Sequence, residues 1–172
     1  HDRQLVQQPP ATHGASDRYA FERLDEVQKN WLAALPASVH LPADILLCHG
    51  TPTDDDRYLL ETVAQGRVRP ARWDEINQRL AGVTASLILC GHTHMPRLIQ
   101  VNDMQLIVNP GSVGLPAYSD TAPEPHVMET GSPHARYALL EQRAQGWHVE
   151  LIAIPYDHHS AATQAQHNGR LD

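Results

Sequence analysis

The sequence predicts an α/β fold built around a mixed sheet. Two short apolar segments, residues 44–48 and 85–90, have the length and composition of strands that are buried on both faces. Segments with helical spacing of apolar residues precede and separate them, and alternating segments typical of hairpins follow. Helical connections join parallel strands whereas hairpins join antiparallel strands, so we expect both kinds of pairing in one sheet.

The first half of the chain predicts three helices around these strands. Apolar residues at helical intervals after Asp17, a favourable N-cap residue, predict one long helix that ends at Pro36. Residues 55–64 predict a short helix that follows the first strand. Residues 73–80 predict a third helix, which ends before Gly82.

The second half predicts hairpins, a long loop and a terminal helix. The predicted hairpin strands are residues 97–101 with 104–108 and residues 137–141 with 147–154. Between the hairpins, residues 114–133 contain four prolines among small and acidic residues. This composition predicts a loop, which is either a lid or binding loop beside a site or a disordered surface loop. The tail after Ile154 predicts a short amphipathic or frayed helix.

Composition limits the class of protein. A chain of 172 residues with 41% hydrophobic residues can bury one core, so we expect a single domain over residues 1–172. The net charge of −7 disfavours nucleic acid as a partner, and no apolar segment approaches the roughly 20 residues of a membrane span. Cys48 and Cys90 end apolar segments, which fits a reducing compartment and predicts a cytoplasmic protein without disulfides.

Three histidines follow the two predicted buried strands. His49 comes directly after the first strand, and His92 and His94 come after the second strand and Gly91. Ligands of α/β proteins bind beyond the carboxyl ends of neighbouring strands, so we expect the three imidazoles to converge. In an extended segment, residues two apart project to the same side, and Gly91 removes a side chain that would crowd the approach. The pattern favours metal ligation, and the alternative is a turn with two exposed histidines.

A structural zinc site is another use of the same strand ends, because Cys48 and Cys90 adjoin the histidines. Adjacent residues of a strand point to opposite faces, so Cys48 and His49 can hardly bind the same ion. The same geometry argues against a Cys–His nucleophile pair, and no helix N-terminus is predicted beside either thiol. We therefore expect neither cysteine to act as a ligand or a nucleophile.

Four segments together resemble a known family. They are His1-Asp2, His49-Gly50, Gly91-His92-Thr93-His94 and Asn109-Pro110-Gly111-Ser112-Val113-Gly114. This pattern is similar to the second half of the calcineurin-like metallophosphoesterase family, and within it to the small bacterial phosphodiesterase and phosphatase branch. The resemblance covers nearly the whole chain. It implies an αββα sandwich with mixed sheets, of which residues 1–172 would be the second, C-terminal portion.

The resemblance also implies ligands that this sequence lacks. The family begins with Asp-x-His, Gly-Asp-x-x-Asp and Gly-Asn-His-Asp motifs. A chain that starts at His1-Asp2 without Met would begin inside the third motif, as a processed or truncated product. The family's remaining ligands, which are an Asp, a His, a bridging Asp and an Asn, would then have no counterpart here.

By resemblance, His49 and His92 would bind one metal ion and His94 would bind another. His1 would stand near the leaving group, where Asp2 would orient and charge it. Two divalent ions, which could be Mn, Fe, Zn or Ni, would activate a bridging hydroxide for in-line attack on a phosphate ester, either a small molecule or a nucleotide. Imidazoles without carboxylates hold hard cations poorly, so we expect the 172-residue chain alone to be inactive or nearly so.

Several alternatives stay open at this point. The chain could be a scaffold that kept the fold but lost the chemistry, like the retromer subunit that resembles these enzymes, or a metal-binding regulatory module. The acidic residues 54–56 fit a helix N-terminus or the border of a substrate entrance. The backbone amides of Gly111, Ser112 and Gly114 fit the floor of a site or a tight turn.

Overall fold

The computed structural model describes residues 2–9, 11 and 13–170, with the backbone alone for residues 2–4. The chain divides into two compact units, which are His1–Ala37 with His159–Asp172, and Ser38–His158. The described helices of the first unit are α1 (Asp2–Gln7), α2 (Ala15–Arg23), α3 (Glu26–Ala33) and most of α5 (His158–His167). The single domain expected from chain length stays a prediction.

The second unit, which is described throughout, contains a five-stranded sheet, one helix and three two-stranded hairpins. Its elements are β1 (Ser38–Leu41), β2 (Ile45–Cys48), β3 (Glu61–Ala64), β4 (Arg67–Pro70), α4 (Trp73–Leu80), β5 (Leu87–Leu89), β6 (Arg97–Asn102), β7 (Gln105–Asn109), β8 (Ala117–Asp120), β9 (His126–Glu129), β10 (Ala135–Arg143) and β11 (Gly146–Ile154). The predicted strands at residues 44–48 and 85–90 are confirmed as β2 and β5. The β6–β7 and β10–β11 hairpins, α4 and the terminal helix α5 are confirmed as well.

The five-stranded sheet is mixed, as the sequence predicts. Its strand order is β1-β2-β5-β7-β6. The three central strands, β2, β5 and β7, run parallel, and the antiparallel strands β1 and β6 form the edges. The carboxyl ends of the central strands therefore lie at one edge of the sheet, which is where His49 and His92 follow and where Asn109 ends β7.

Both faces of the sheet are covered, and this explains the uninterrupted apolar sequences of the central strands. Ile88 and Ile107 are fully buried in a cluster that includes the apolar side of α4. Leu87 and Val108, which alternate with them along β5 and β7, belong to a second cluster that Leu140 of β10 joins. A helix thus covers one face and a hairpin covers the other.

The long helix predicted from Asp17 onward is wrong, because the segment forms two helices. Leu24 takes extended dihedral angles, φ −80° and ψ 133°. Asp25 then starts α3 with a capping box, in which its side chain accepts a hydrogen bond from Gln28 N at 2.8 Å. Gln28 Oε1 in turn accepts one from Asp25 N at 2.9 Å. Asp17 lies in the first turn of α2, whose N-cap is Gly14.

The short helix predicted over residues 55–64 is also wrong. Its last four residues form β3, which pairs with β4 around Gln65 and Gly66. Both turn residues have positive φ, 57° and 69°, as in a type I′ hairpin turn. Strand β3 is short and begins at the buried Glu61, so its sequence lacks a clear alternation of apolar and polar residues.

The segment predicted as a loop, residues 114–133, contains another hairpin. Strands β8 and β9 pair with Asp120 opposite His126. Glu124 Oε1 accepts a hydrogen bond from Gly66 N at 3.2 Å, which joins this hairpin to the β3–β4 turn. The edge strand β1 is a further element that the sequence did not predict. No described helix combines the length and the apolar character that crossing a bilayer requires.

Candidate metal centre

His49 and His92 come together at the carboxyl ends of two adjacent parallel strands. His49 directly follows β2, and His92 lies just beyond β5. Their ring centroids are 4.9 Å apart, with an angle of 50° between the ring planes. Gly91 N also donates a hydrogen bond to His49 O at 2.8 Å, so the main chain joins the two loops. This spacing suits two imidazoles that bind the same metal ion, with each ring nitrogen about 2.0–2.1 Å from it.

His92 and His94 lie in a tight turn, and the extended geometry expected for them is wrong. His92 has φ 65° and His94 has φ 58°, both in the left-handed region. Thr93 N donates a hydrogen bond to Gly91 O at 2.8 Å, which closes a three-residue turn around His92. Left-handed conformations are uncommon for residues other than glycine and persist where the surroundings enforce them.

Asn109 is the residue that enforces this turn from the end of β7. Its side chain is 1% exposed. Asn109 Nδ2 donates hydrogen bonds to Gly91 O at 2.8 Å and to Thr93 Oγ1 at 3.0 Å, and Oδ1 accepts one from Gly111 N at 2.9 Å. The Gly111 amide is therefore used within the protein, which favours the tight turn over the site floor for this residue.

Burial keeps the three histidines neutral. The pKa of His49 is lowered from 6.5 to about 4, chiefly by burial, with smaller contributions from the neighbouring His92 and His94. Burial also lowers the pKa of His92, against a hydrogen bond to the backbone of Asp56 that raises it. The pKa of His94 is lowered by burial too, and the bond to Leu115 O opposes this shift. Neutral imidazole is the form that binds a metal ion.

His94 is oriented by the main chain. Its Nδ1 lies 2.8 Å from Leu115 O, a carbonyl oxygen that can only accept a hydrogen bond. Nδ1 therefore carries the proton in the neutral ring, and the lone pair of Nε2 is left for a ligand. Metal-binding histidines are commonly oriented by such a bond from the second ring nitrogen.

The described residues fit only part of a metal site. Among them, no group of three or more His, Cys, Asp or Glu side chains is arranged to hold an ion. His49 and His92 offer two neighbouring imidazoles, which is half of a tetrahedral site. The convergence of all three histidines on one crevice, and their roles as ligands, stay predictions.

Both thiols are shielded from solvent, and their absence from the ligand set stays a prediction. Burial raises the pKa of Cys48 to about 12, and Asp55 adds to the shift. Burial also raises the pKa of Cys90 well above its usual value. Since the thiolate is the form that binds metals and attacks substrates, this burial disfavours both roles at neutral pH.

A comparison with known families decides the assignment. A family model described as the calcineurin-like phosphoesterase superfamily domain matches residues 10–132, which is more than half of the chain. The chain belongs to the calcineurin-like phosphoesterase superfamily. No curated protein matches it.

Two solved structures share the calcineurin-like fold over nearly the whole chain. A metallophosphoesterase from Sphaerobacter thermophilus has a TM-score of 0.70 at 20% identity, covering 98% of this chain and 69% of that chain. A hypothetical protein from Pyrococcus horikoshii OT3 has a TM-score of 0.69 at 16% identity, covering 99% of this chain and 66% of that chain. These identities show the fold, and the chain spans about two thirds of either structure.

The two remaining residues of the calcineurin-like motif set have no described side chain. His1 lies outside the described residues. Asp2 is the first residue of α1, and its side chain is not described. The catalytic roles that the resemblance implies for them stay predictions.

Glycine at position 50 is required by close packing, whereas glycine at position 91 is not. A Cβ at Gly50 would lie 2.6–2.7 Å from three carbonyl oxygens of the 54–57 turn. At Gly91 the nearest atom would be His49 O at 3.7 Å, which is an ordinary contact. Whether a side chain at Gly91 would crowd the approach of a ligand stays a prediction. The helix cap expected for residues 54–56 is wrong, since no helix follows and Asp54 accepts a hydrogen bond from Asp56 N at 2.9 Å within the turn.

Sequence reasoning missed two tyrosines beside the histidines. The Tyr58 ring centroid lies 4.7 Å from that of His92. The Tyr118 ring stands edge-on to His94 at 5.1 Å. Both tyrosines belong to segments that were assigned to the wrong structure, the 55–64 helix and the 114–133 loop. No periodic pattern in the sequence marks either of them.

Proposed function

We propose that the intact protein is a metal-dependent phosphoesterase that hydrolyses phosphomonoester or phosphodiester bonds. The observation that carries this proposal is the His49–His92 pair, with rings 4.9 Å apart at the ends of adjacent parallel strands. Membership of the calcineurin-like phosphoesterase superfamily supports the same reaction class.

Each histidine has a distinct part in the proposed site. His49 and His92 bind one divalent ion through neutral imidazoles. His94, whose Nδ1 is tied to Leu115 O, offers Nε2 to a second ion. Two such ions would supply positive charge that positions the phosphate and lowers the pKa of an attacking water. His1 donates a proton to the leaving oxygen, and Asp2 orients it.

The 172-residue chain by itself is proposed to have little or no activity. Its described residues form no group of three metal-binding side chains. Hard divalent cations prefer carboxylate oxygens, so imidazoles alone bind them weakly. Mn, Fe, Zn and Ni all remain suitable metals, because each accepts imidazole together with carboxylate.

The charge of the site favours small substrates over nucleic acid. The charge of Asp56 raises the pKa of His92 and so opposes the larger lowering caused by burial. Negative charge therefore borders the proposed metal site. The whole chain carries a net charge of −7. Binding of a long polyanion is therefore disfavoured, and we propose a phosphate-ester small molecule or a nucleotide as the substrate.

Hydrolysis of para-nitrophenyl phosphate and its diester in the presence of Mn²⁺ tests the proposal. The intact protein should hydrolyse at least one of them, and His92→Ala should lose more than the roughly 100-fold that removal of an outer-shell partner costs. His40→Ala, at an exposed histidine on the edge strand β1, is the matched control and should retain activity. Equal rates for the wild type and His92→Ala would overturn the proposal. Absence of any metal-dependent hydrolysis would favour the scaffold alternative.

A further inference from the structure

The hydroxyl groups of Tyr58 and Tyr118 form a partly buried network next to the histidine turn. Tyr118 Oη lies 3.2 Å from His92 O and 3.2 Å from the Tyr58 hydroxyl. The carbonyl oxygen of His92 can only accept, so the hydrogen bond to it comes from Tyr118. Burial raises the pKa of both tyrosines, which keeps the hydroxyl protons in place.

The β8–β9 hairpin fixes the direction of this network. His126 is 5% exposed, and its Nδ1 lies 2.7 Å from Glu124 O, to which it donates. In the neutral ring, His126 Nε2 then accepts a hydrogen bond from the Tyr58 hydroxyl at 3.0 Å. The oxygen of Tyr58 can accept from Tyr118 only by sharing the single Tyr118 proton with His92 O. Asp120 Oδ2, at 3.3 Å from the Tyr58 hydroxyl, completes the cluster.

The network acts on a strained part of the main chain. His92 has φ 65°. The turn lies beyond the end of β5, so the β5–β7 pairing does not support it. Asn109 holds the carbonyl of Gly91 and the side chain of Thr93. Tyr118 holds the carbonyl of His92 itself, and its ring packs against His94. A left-handed residue needs such surrounding contacts to persist.

We propose that Tyr118 is a positioning residue for His92 and His94. Its hydroxyl holds the left-handed turn at His92 O, its ring holds the imidazole of His94, and its own strand β8 carries it, with Tyr58 bridging its hydroxyl to His126 of β9. The hairpin thus presets the direction of two side chains that the proposed function uses as metal ligands. The proposal rests on that function for its purpose, but its geometry can be tested without any metal.

Side-chain and amide NMR of the metal-free chain provide the test. Tyr118→Phe removes the hydroxyl and keeps the ring. We expect it to shift the imidazole signals of His92 and His94 and to speed amide exchange at Thr93 by roughly five- to tenfold, the change that loss of one hydrogen bond causes. Tyr137→Phe, at an exposed tyrosine on β10, is the matched control and should leave these signals unchanged.

A second variant separates positioning from general loss of stability. Tyr58→Phe keeps the ring against His92 and removes only the hydroxyl that contacts the Tyr118 hydroxyl, so it should cause a smaller change at the same signals. Amide exchange in β5 and in the β10–β11 hairpin should stay at wild-type rates in both variants. Exchange that rises equally throughout the chain, or imidazole signals in Tyr118→Phe identical to those in Tyr137→Phe, would overturn the positioning role.

Co²⁺ titration then distinguishes this proposal from the proposed function. If the intact protein binds Co²⁺, Tyr118→Phe should weaken binding by roughly tenfold. This is the lower end of the range of affinity losses caused by removing an outer-shell partner. Unchanged Co²⁺ affinity together with shifted imidazole signals would contradict a role in metal binding. A wild-type protein that binds no Co²⁺ would instead refute the proposed function, while the NMR result still decides the positioning role.

Discussion

The rings of His49 and His92 lie 4.9 Å apart, on loops that follow two adjacent parallel strands. A hydrogen bond from Gly91 N to His49 O ties these loops together. The arrangement therefore depends on strand register, on the packing of the 54–57 turn and on the clamp at Asn109. The packing of the 54–57 turn and the clamp at Asn109 each lead to a measurable prediction, and so does the burial of His49.

Stability should depend on pH through His49. The pKa of His49 is lowered from 6.5 to about 4, chiefly by burial, so the unfolded chain takes up a proton that the folded protein resists. This contribution is complete above pH 6.5 and is lost as the pH falls from 6.5 towards 4. We expect the free energy of unfolding from urea titrations to fall over this window by about 1–2 kcal/mol more in the wild type than in His49→Gln, after allowance for partial exposure.

A matched variant checks that this effect belongs to His49. His40→Gln replaces an exposed histidine and should give the wild-type profile. Parallel profiles for the wild type and His49→Gln between about pH 7 and pH 4 would show that the buried neutral imidazole does not control acid stability.

Gly50 should be intolerant of any side chain. In Gly50→Ala the new Cβ would lie 2.6–2.7 Å from the carbonyl oxygens of Asp54, Asp55 and Arg57, so the main chain must move. We expect a loss of about 1–3 kcal/mol in the free energy of unfolding. Gly114→Ala is the control, since nothing lies within 4 Å of its Cβ position. Equal stability of the two variants would contradict the close packing of the 54–57 turn.

Asn109 should be needed as an amide. Asn109→Asp keeps an acceptor for Gly111 N but faces Gly91 O with a second acceptor in a buried place. We expect a loss of about 2–3 kcal/mol in urea unfolding, because a donor is lost and a charge is buried without a partner. Asn102→Asp, on the exposed end of β6, serves as the control. Wild-type stability of Asn109→Asp would refute the clamp.

The central strands could be predicted because they are buried on both faces. β2 and β5 are continuous apolar segments that are short enough for strands and too short for typical helices. The histidines follow them closely in the sequence. The break between α2 and α3 also has a local signal, since Asp25 and Gln28 have the spacing of a capping box. Apolar residues keep their helical spacing across this break, so the pattern predicted one continuous helix.

The rest of the site could not be predicted, because it depends on contacts between distant segments. Tyr58 and Tyr118 are 60 residues apart and meet only after two short hairpins form. The left-handed turn at His92 is held by Asn109 and Tyr118, which come from other strands. A local pattern contains no information about such contacts, so the histidines were expected in an extended segment.

The central claim is that His49 and His92 bind the same metal ion. It is tested most directly by Co²⁺ titration of the intact protein, followed by visible absorbance, in the wild type, His49→Ala, His92→Ala and the double variant. If the two imidazoles share an ion, each single change should weaken binding by more than roughly 100-fold, and the double change should cost little more than either one. Fully additive losses, or a single variant that binds Co²⁺ like the wild type, would contradict the shared site.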